Sequence, residues 1–381
     1  MTHAPPLSLY VHFPWCVRKC PYCDFNSHPT KGQIPEAEYV GQLLRDLDHD
    51  TTLVPSRAIE TIFIGGGTPS LISGRTIATL LDGIRERITV TDDAEVTLEA
   101  NPGAVDQRNF EAYHSAGVNR LSIGAQSFNS GHLEVLGRIH GSSDIERAVV
   151  AAVCAGFERF NLDLMHGLPG QTVDDAIADL SRALSLGASH ISWYQLTIEP
   201  RTEFALRPPA LPDEDALGEI ETVGLSLLES AGLHRYEVSA FARCGQQAQH
   251  NLNYWMFGDY LGIGAGAHGK ISLAAHDTDA PHVIRTSKPL APSRYLLLPS
   301  PQLRFDAVIS ADALPGEFLL NALRLIDGVS TSLLSERTGC PIATIEARWR
   351  RQQSLGLMRA DRLGVTALGL RYLDSVVSEF L

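Results

Sequence analysis

At 381 residues, 44% hydrophobic and 20% charged, the chain suits a packed α/β protein with room for a smaller second module, and not a disordered one. Its net charge of −13 argues against a general nucleic-acid binder, which carries a basic face. No run approaches the ~20 apolar residues of a membrane span, and the first residues lack a basic region followed by an apolar core, so a cytoplasmic location is expected, with peripheral contact to a membrane surface still compatible.

Leu9–Phe13 reads as the first strand, rich in β-branched and aromatic residues. Directly after it stands Cys16-Val17-Arg18-Lys19-Cys20-Pro21-Tyr22-Cys23, and gaps of three and two residues let one short loop fold three thiolates around a metal centre. Three is too few for a closed structural zinc site, and no fourth Cys or His follows at suitable spacing. Iron–sulfur clusters are typically held by four thiolates, so three would leave one iron free for a small molecule. The remaining cysteines, Cys154, Cys244 and Cys340, stand singly and are expected to be small buried hydrophobes. This usage fits a reducing compartment.

Further along, Thr61–Ile64, Glu95–Glu99, Arg120–Ala125, Phe160–Met165 and His190–Leu196 read as strands. The helical patterns Glu38–Leu47, Thr76–Ile88, Asp106–His114, Ile145–Ala155 and Asp174–Leu186 alternate with them. Alternation of this kind implies parallel strands with crossover helices, and six strands fall short of a closed eight-stranded barrel, so an open, partial barrel is expected. Ligands then bind at the carboxyl ends of the strands. Gly65-Gly66-Gly67-Thr68-Pro69, Glu99-Ala100-Asn101-Pro102, Gln126-Ser127-Phe128 and Asp163 all fall there, beside the cysteines.

After Pro200 the texture changes. Asp213–Gly232 reads as a helix, Tyr260–Gly269 as a Gly-rich strand, and 275–302 as an irregular connection. From Glu317 three helices and a hairpin at Leu357–Thr366 suggest a winged-helix-like module. Its Arg348, Arg350 and Arg351 would serve a DNA-binding regulator, although a solvated helix face fits so acidic a chain better. The expected divisions are 1–235 for the barrel, 236–305 for an extending segment and 306–381 for the terminal module.

With these residues set out, the chain resembles the radical S-adenosylmethionine (SAM) superfamily, in particular the branch shared by oxygen-independent coproporphyrinogen III oxidases and HemW-type haem chaperones. The resemblance rests on the Cys16–Cys20–Cys23 spacing, the Gly65–Pro69 run, Gln126-Ser127-Phe128-Asn129 and the stretch Asp163–Pro169. It implies that Cys16, Cys20 and Cys23 hold a [4Fe–4S] cluster whose fourth iron is chelated by SAM. Gly66, Gly67 and Thr68 would face the SAM methionine moiety, Glu99 and Asp163 would accept from its ammonium or ribose hydroxyls, and Gln126 and Arg138 would also touch it. Tyr10 and Tyr22 would flank the cluster.

Within the branch, the oxidases place a fourth cysteine two positions after the third. Here Phe25 stands there, and only nine residues precede Tyr10, where oxidases carry a longer extension. The chaperone branch shows a His-Asn-x-x-Tyr-Trp motif, matched by His250, Asn251, Tyr254 and Trp255. An imidazole can be an axial ligand and two aromatics can stack on a macrocycle, so these residues are expected to contact haem. The resemblance thus implies a haem chaperone that passes haem to respiratory haemoproteins, with a SAM-dependent oxidative decarboxylase as the alternative. His268 is a further motif residue without a role.

Overall fold

The computed structural model describes residues 4–104, 107–273, 282–299 and 302–381. The six expected strands form, five of them longer than expected and the last one residue shorter: β1 (Leu7–Phe13), β2 (Ile59–Gly66), β3 (Val90–Ala100), β4 (Arg120–Gln126), β5 (Phe160–His166) and β6 (His190–Gln195). Neighbours pair in parallel throughout, in chain order. Leu9, Val11, Ile62, Ile64, Leu98, Leu121 and Leu162, at alternate positions of their strands, are buried in one core with Leu43, Leu80 and Ile145 of the helices. The covering helices are α1 (Glu36–Asp50), α2 (Gly74–Arg85), α3 (Gln107–Ala116), α4 (Ser130–Val135), α5 (Ser142–Cys154) and α6 (Val173–Ser185). Ser73 caps α2 and Thr172 caps α6, each accepting from a backbone N–H of the first turn. Asp106, expected to open the third helix, lies outside the described residues.

The sheet does not stop at six strands. After α7 (Glu203–Leu206) and α8 (Glu214–Ser230), β7 (His234–Glu237) and β8 (Ala240–Ala242) extend it antiparallel beside β6. Following α9 (Gln249–Trp255), β9 (Asp259–Ile263) pairs in parallel with β1, on the side opposite β2. Then β10 (His268–Leu273), β11 (His282–Ser287), α10 (Pro292–Leu297) and β12 (Phe305–Val308) follow. Among the described residues the strand order is β12-β11-β10-β9-β1-β2-β3-β4-β5-β6-β8-β7, an α/β partial (βα)6 barrel with antiparallel flanks.

Two sequence expectations need correction here. Tyr260–Gly269 is not one strand, because Gly264 (φ +106) and Gly266 (φ +80) turn the chain back, and a Cβ on Gly264 would sit 2.4 Å from the His12 carbonyl oxygen. The stretch 275–302 is not irregular in its described part, since it supplies β11 and α10. A buried ion cluster holds this segment down. Lys288 Nζ donates to Asp46 Oδ1 (2.5 Å) and Asp50 Oδ2 (2.8 Å) of α1, and Tyr295 Oη donates to Asp46 Oδ2 (2.7 Å). Lys288→Ala would leave buried Asp46 without a cation and Asp50 with Arg304 alone. We expect it to cost about 3–5 kcal/mol of stability, read as a lowered denaturant midpoint.

The carboxy-terminal region is mainly helical: α11 (Leu314–Ala322), α12 (Thr331–Thr338), α13 (Glu346–Ser354), α14 (Ala367–Arg371) and α15 (Leu373–Ser378). The expected hairpin is reduced to isolated antiparallel bridges, Met358 with Val365 and Val329 with Leu363. A separate apolar core here gathers Phe318, Leu319, Leu334, Leu363 and Val376, joined by Phe257 and Val283 from the sheet side. Arg350 pairs with Glu346, Arg351 with Glu379, and Arg348 donates to the Phe380 carbonyl, so the basic run is spent locally. Cys154 and Cys244 are exposed, contrary to expectation: the first closes an outward helix face, the second lies in the turn after β8. No helix among the described residues is long and apolar enough to cross a membrane.

Candidate cofactor site

The loop after β1 is tied at several points before it presents its thiols. Trp15–Cys16 forms a two-residue ladder with His28–Pro29, and Cys23 N donates to Cys20 O (3.1 Å). Phe204 N donates to Pro21 O (3.0 Å), and the Tyr22 ring packs 6.5 Å from that of Phe204 over a small apolar cluster with Leu136 and Leu168. Cys16, Cys20 and Cys23 thereby line one cavity of about 380 Å³ at the carboxyl ends of the strands. No group of three His, Cys, Asp or Glu side chains among the described residues converges enough to hold a single metal ion.

The same cavity is lined by Tyr22, Gly66, Gly67, Thr68, Glu99, Gln126, Arg138 and Asp163. Close approach explains the glycines: a Cβ on Gly66 (φ +125) would lie 2.5 Å from Phe13 O, and one on Gly67 2.5 Å from Trp15 O. Gln126 holds a left-handed φ of 69°, beside a register shift in the β4–β5 ladder, which places its side chain on the cavity wall. Tyr194 Oη donates to Gln126 Oε1 (2.8 Å). Arg138 lies beyond α4 and is half-buried: Nη2 donates to Gly124 O (2.9 Å), and Nη1 lies 3.7 Å from Cys20 Sγ. It is a ready countercharge for thiolates.

Glu99 accepts from Gly66 N (3.0 Å), yet burial, then the nearby Asp163 carboxylate, push its pKa up to about 8. Burial also raises Asp163, against hydrogen bonds from Asn161 Nδ2 (2.7 Å) and Ser122 Oγ (3.1 Å). Two carboxylates that resist ionisation together make a site favouring a cationic or hydroxyl-bearing ligand. Three thiols, a glycine cradle and this acidic wall fit the donor set of a cluster with an amino-acid-like ligand.

A second cavity, about 1,070 Å³, adjoins the first and shares Lys19, Cys23, Phe25, Gly66, Glu99 and Trp255 with it. Tyr10, Tyr254, Tyr260 and His268 form its walls, and Lys19 and Arg201 also border it. Its size sits at the upper end of the usual ligand-pocket range of roughly 300–1,000 Å³. A further cavity of about 650 Å³, at the amino ends of β1–β3 near Arg57 and Asp93, holds none of the expected residues.

The expected haem motif divides. Asn251 lines the smaller cavity, Tyr254 the larger, and Trp255 both. His250 lines neither. Its side chain is buried, Nδ1–H donates to Thr61 Oγ1 (2.7 Å), and Nε2 accepts from Tyr254 Oη (2.9 Å). Burial pushes its pKa down to about 3. With both ring nitrogens engaged and the residue in neither cavity wall, the expected haem contact at His250 gives way to a hydrogen bond that orients Tyr254.

Sequence reasoning missed Ser192, Tyr194, Glu237 and Arg324 in the smaller cavity. Ser192 and Tyr194 sit on β6, where the strand-end rule applied to alternate residues points to them. Arg324 comes from the carboxy-terminal region, carries its guanidinium 4.4 Å from the Trp255 ring centroid, and pairs with Glu237 at 3.2 Å. No local signal announces it.

Residues 10–183 match the family model of the radical SAM superfamily. Over full length the chain is 47% identical to the haem chaperone HemW of Escherichia coli K12, with 100% of both chains covered. It is 46% identical to the Haemophilus influenzae haem chaperone HemW, covering 100% of this chain and 99% of that one. Among solved structures, the Escherichia coli coproporphyrinogen III oxidase HemN superposes with a TM-score of 0.82 at 23% identity, covering 99% of this chain and 90% of that one, a likeness of fold.

Proposed function

Because the chain belongs to the radical SAM superfamily and, within it, to the HemW haem chaperone family, we propose that it binds a [4Fe–4S] cluster, SAM and haem, and hands haem to respiratory haemoproteins. The observation that carries this reading is the junction of two cavities, one bordered by three thiols and a glycine cradle, the other by aromatic rings. Residues 1–235 would form the SAM core, 236–305 the wall shared with the haem site, and 306–381 the terminal module.

Each side chain has a definable task. Cys16, Cys20 and Cys23 would ligate the cluster, and Arg138 would balance their charge. Gly66 and Gly67 would let a ligand approach backbone, while Thr68, Glu99, Gln126 and Asp163 would orient SAM. Bound together, cluster and SAM supply one-electron radical chemistry. Tyr22 would shield the cluster from water. Tyr10, Tyr254 and Trp255 would offer ring faces and edges to a macrocycle, Asn251 a polar anchor, and Lys19 and Arg201 partners for its carboxylates. Phe25 is 62% exposed where the oxidases carry a cysteine, which adds apolar surface at the shared mouth.

The reading is tested with anaerobically reconstituted protein. Loaded with haem, it is expected to restore the haem spectrum of a haem-free respiratory cytochrome in membranes. Incubated with coproporphyrinogen III and SAM, it is expected to form no protoporphyrinogen. Stoichiometric decarboxylation without haem transfer would replace the chaperone by an oxidase.

A further inference from the structure

Two histidines line the larger cavity, His12 and His268. His12 is committed: its Nδ1 accepts from Tyr10 Oη (2.8 Å) and its Nε2–H donates to Asn26 O (2.9 Å). His250, the motif histidine, lies behind the wall with both nitrogens engaged. His268 differs from both. It opens β10 with an exposed side chain, and the described residues offer its ring no hydrogen-bond partner.

Its backbone, in contrast, is firmly placed. Asn26 Nδ2, from the cysteine loop, donates to Ala265 O (2.8 Å) and to Leu290 O (2.9 Å). Gly266 N donates to Pro289 O (2.9 Å), and Lys288 N donates to Ala267 O (3.0 Å). The turn before His268 is therefore clamped between the cysteine loop and the segment anchored by Lys288. A fixed backbone with a free ring on an aromatic cavity wall is the arrangement a coordinating residue requires. Partial burial and the neighbouring Arg285 lower the pKa of the imidazole, which keeps a nitrogen lone pair available.

Resting on the haem-chaperone reading above, we propose that His268, and not His250, supplies the axial ligand to haem iron in the larger cavity. The bond is a donation of the neutral ring nitrogen's lone pair to the metal. No redox change or proton transfer is needed. Tyr254, oriented by His250, and Trp255 would confine the macrocycle.

Ferric haem titrated into the cluster-reconstituted full chain tests this, followed by optical absorption, electron paramagnetic resonance and the ferrous iron–histidine stretching band. Wild type is expected to give a histidine-ligated spectrum. His268→Ala should lose the iron–histidine band and weaken haem binding at least ten-fold, with added imidazole restoring the spectrum. Being exposed, the position tolerates this change, and His268→Gln controls for loss of bulk. His250→Ala should retain the band. A His268→Ala spectrum identical to wild type overturns the ligand assignment alone, as does loss of the band in His250→Ala but not in His268→Ala. A wild-type protein that takes up no haem overturns both this assignment and the reading beneath it.

Discussion

Changing Cys16, Cys20 and Cys23 together to Ser should leave a folded protein that retains no iron and no acid-labile sulfide after anaerobic reconstitution. The fold should survive because the loop is held by its ladder with His28–Pro29, by the Pro21–Phe204 hydrogen bond and by packing of Tyr22, none of which uses a thiol. The cluster should not survive, because hydroxyl groups stay protonated where thiolates are needed. Iron and sulfide analysis, with absorption near the visible cluster bands, reads the result. Circular dichroism confirms the fold. Unchanged iron content in the triple variant would remove the cysteines from the site.

Glu99→Gln should separate binding from stability. In the folded protein Glu99 stays protonated up to about pH 8, whereas its ordinary value is 4.5. A carboxyl whose folded value is raised contributes fully to stability below its unfolded value, and that contribution is lost as pH rises toward the folded one. Between pH 4.5 and 8 the wild-type, ligand-free protein therefore loses up to about 1.4 kcal/mol of stability per pH unit from this group. Glutamine removes that slope. Denaturant melts at pH 6 and pH 8 should show the variant gaining on wild type as pH rises. SAM affinity should fall about 10–100-fold, since a charge-assisted hydrogen bond worth about 1.5–3 kcal/mol is lost. Parallel pH slopes in the two proteins would show that Glu99 is ionised throughout. A residue that destabilises the empty site and strengthens the filled one is characteristic of binding machinery.

The six core strands were legible because apolar residues such as Leu9 and Val11, Leu121 and Ile123, and Leu162 and Leu164 recur at every second position and pack into the core, while polar residues between them, Ser122, Asp163 and Ser192, turn to the cavity. The rule that ligands gather at strand ends then located Glu99, Gln126 and Asp163 on one wall. The extension of the sheet was not legible. Gly264 and Gly266 turn the chain by adopting positive φ, and in a glycine-rich stretch nothing local separates a turn from a flexible strand. The strand His282–Ser287 lies in a polar context and is secured by Lys288, whose partners Asp46 and Asp50 are more than two hundred residues away. His250 shows the same limit at a single residue. Its type and neighbours suggest a haem contact, but burial against Thr61 and Tyr254 engages both of its ring nitrogens. Cys154 and Cys244 were read from average behaviour, and position in the fold overrode it.

The parallel pairing of β1 with β9, Leu7 opposite Asp259, also shapes how the molecule is made. At roughly 5–20 residues per second of synthesis, one flank of the first strand emerges from the ribosome and waits on the order of ten seconds or more for its neighbour. A bare hydrogen-bonding flank of this kind invites mispairing until it is covered. The cysteine loop leans on the same late-arriving hairpin through Asn26 and Ala265, so its tether is made only after more than two hundred further residues have been synthesised.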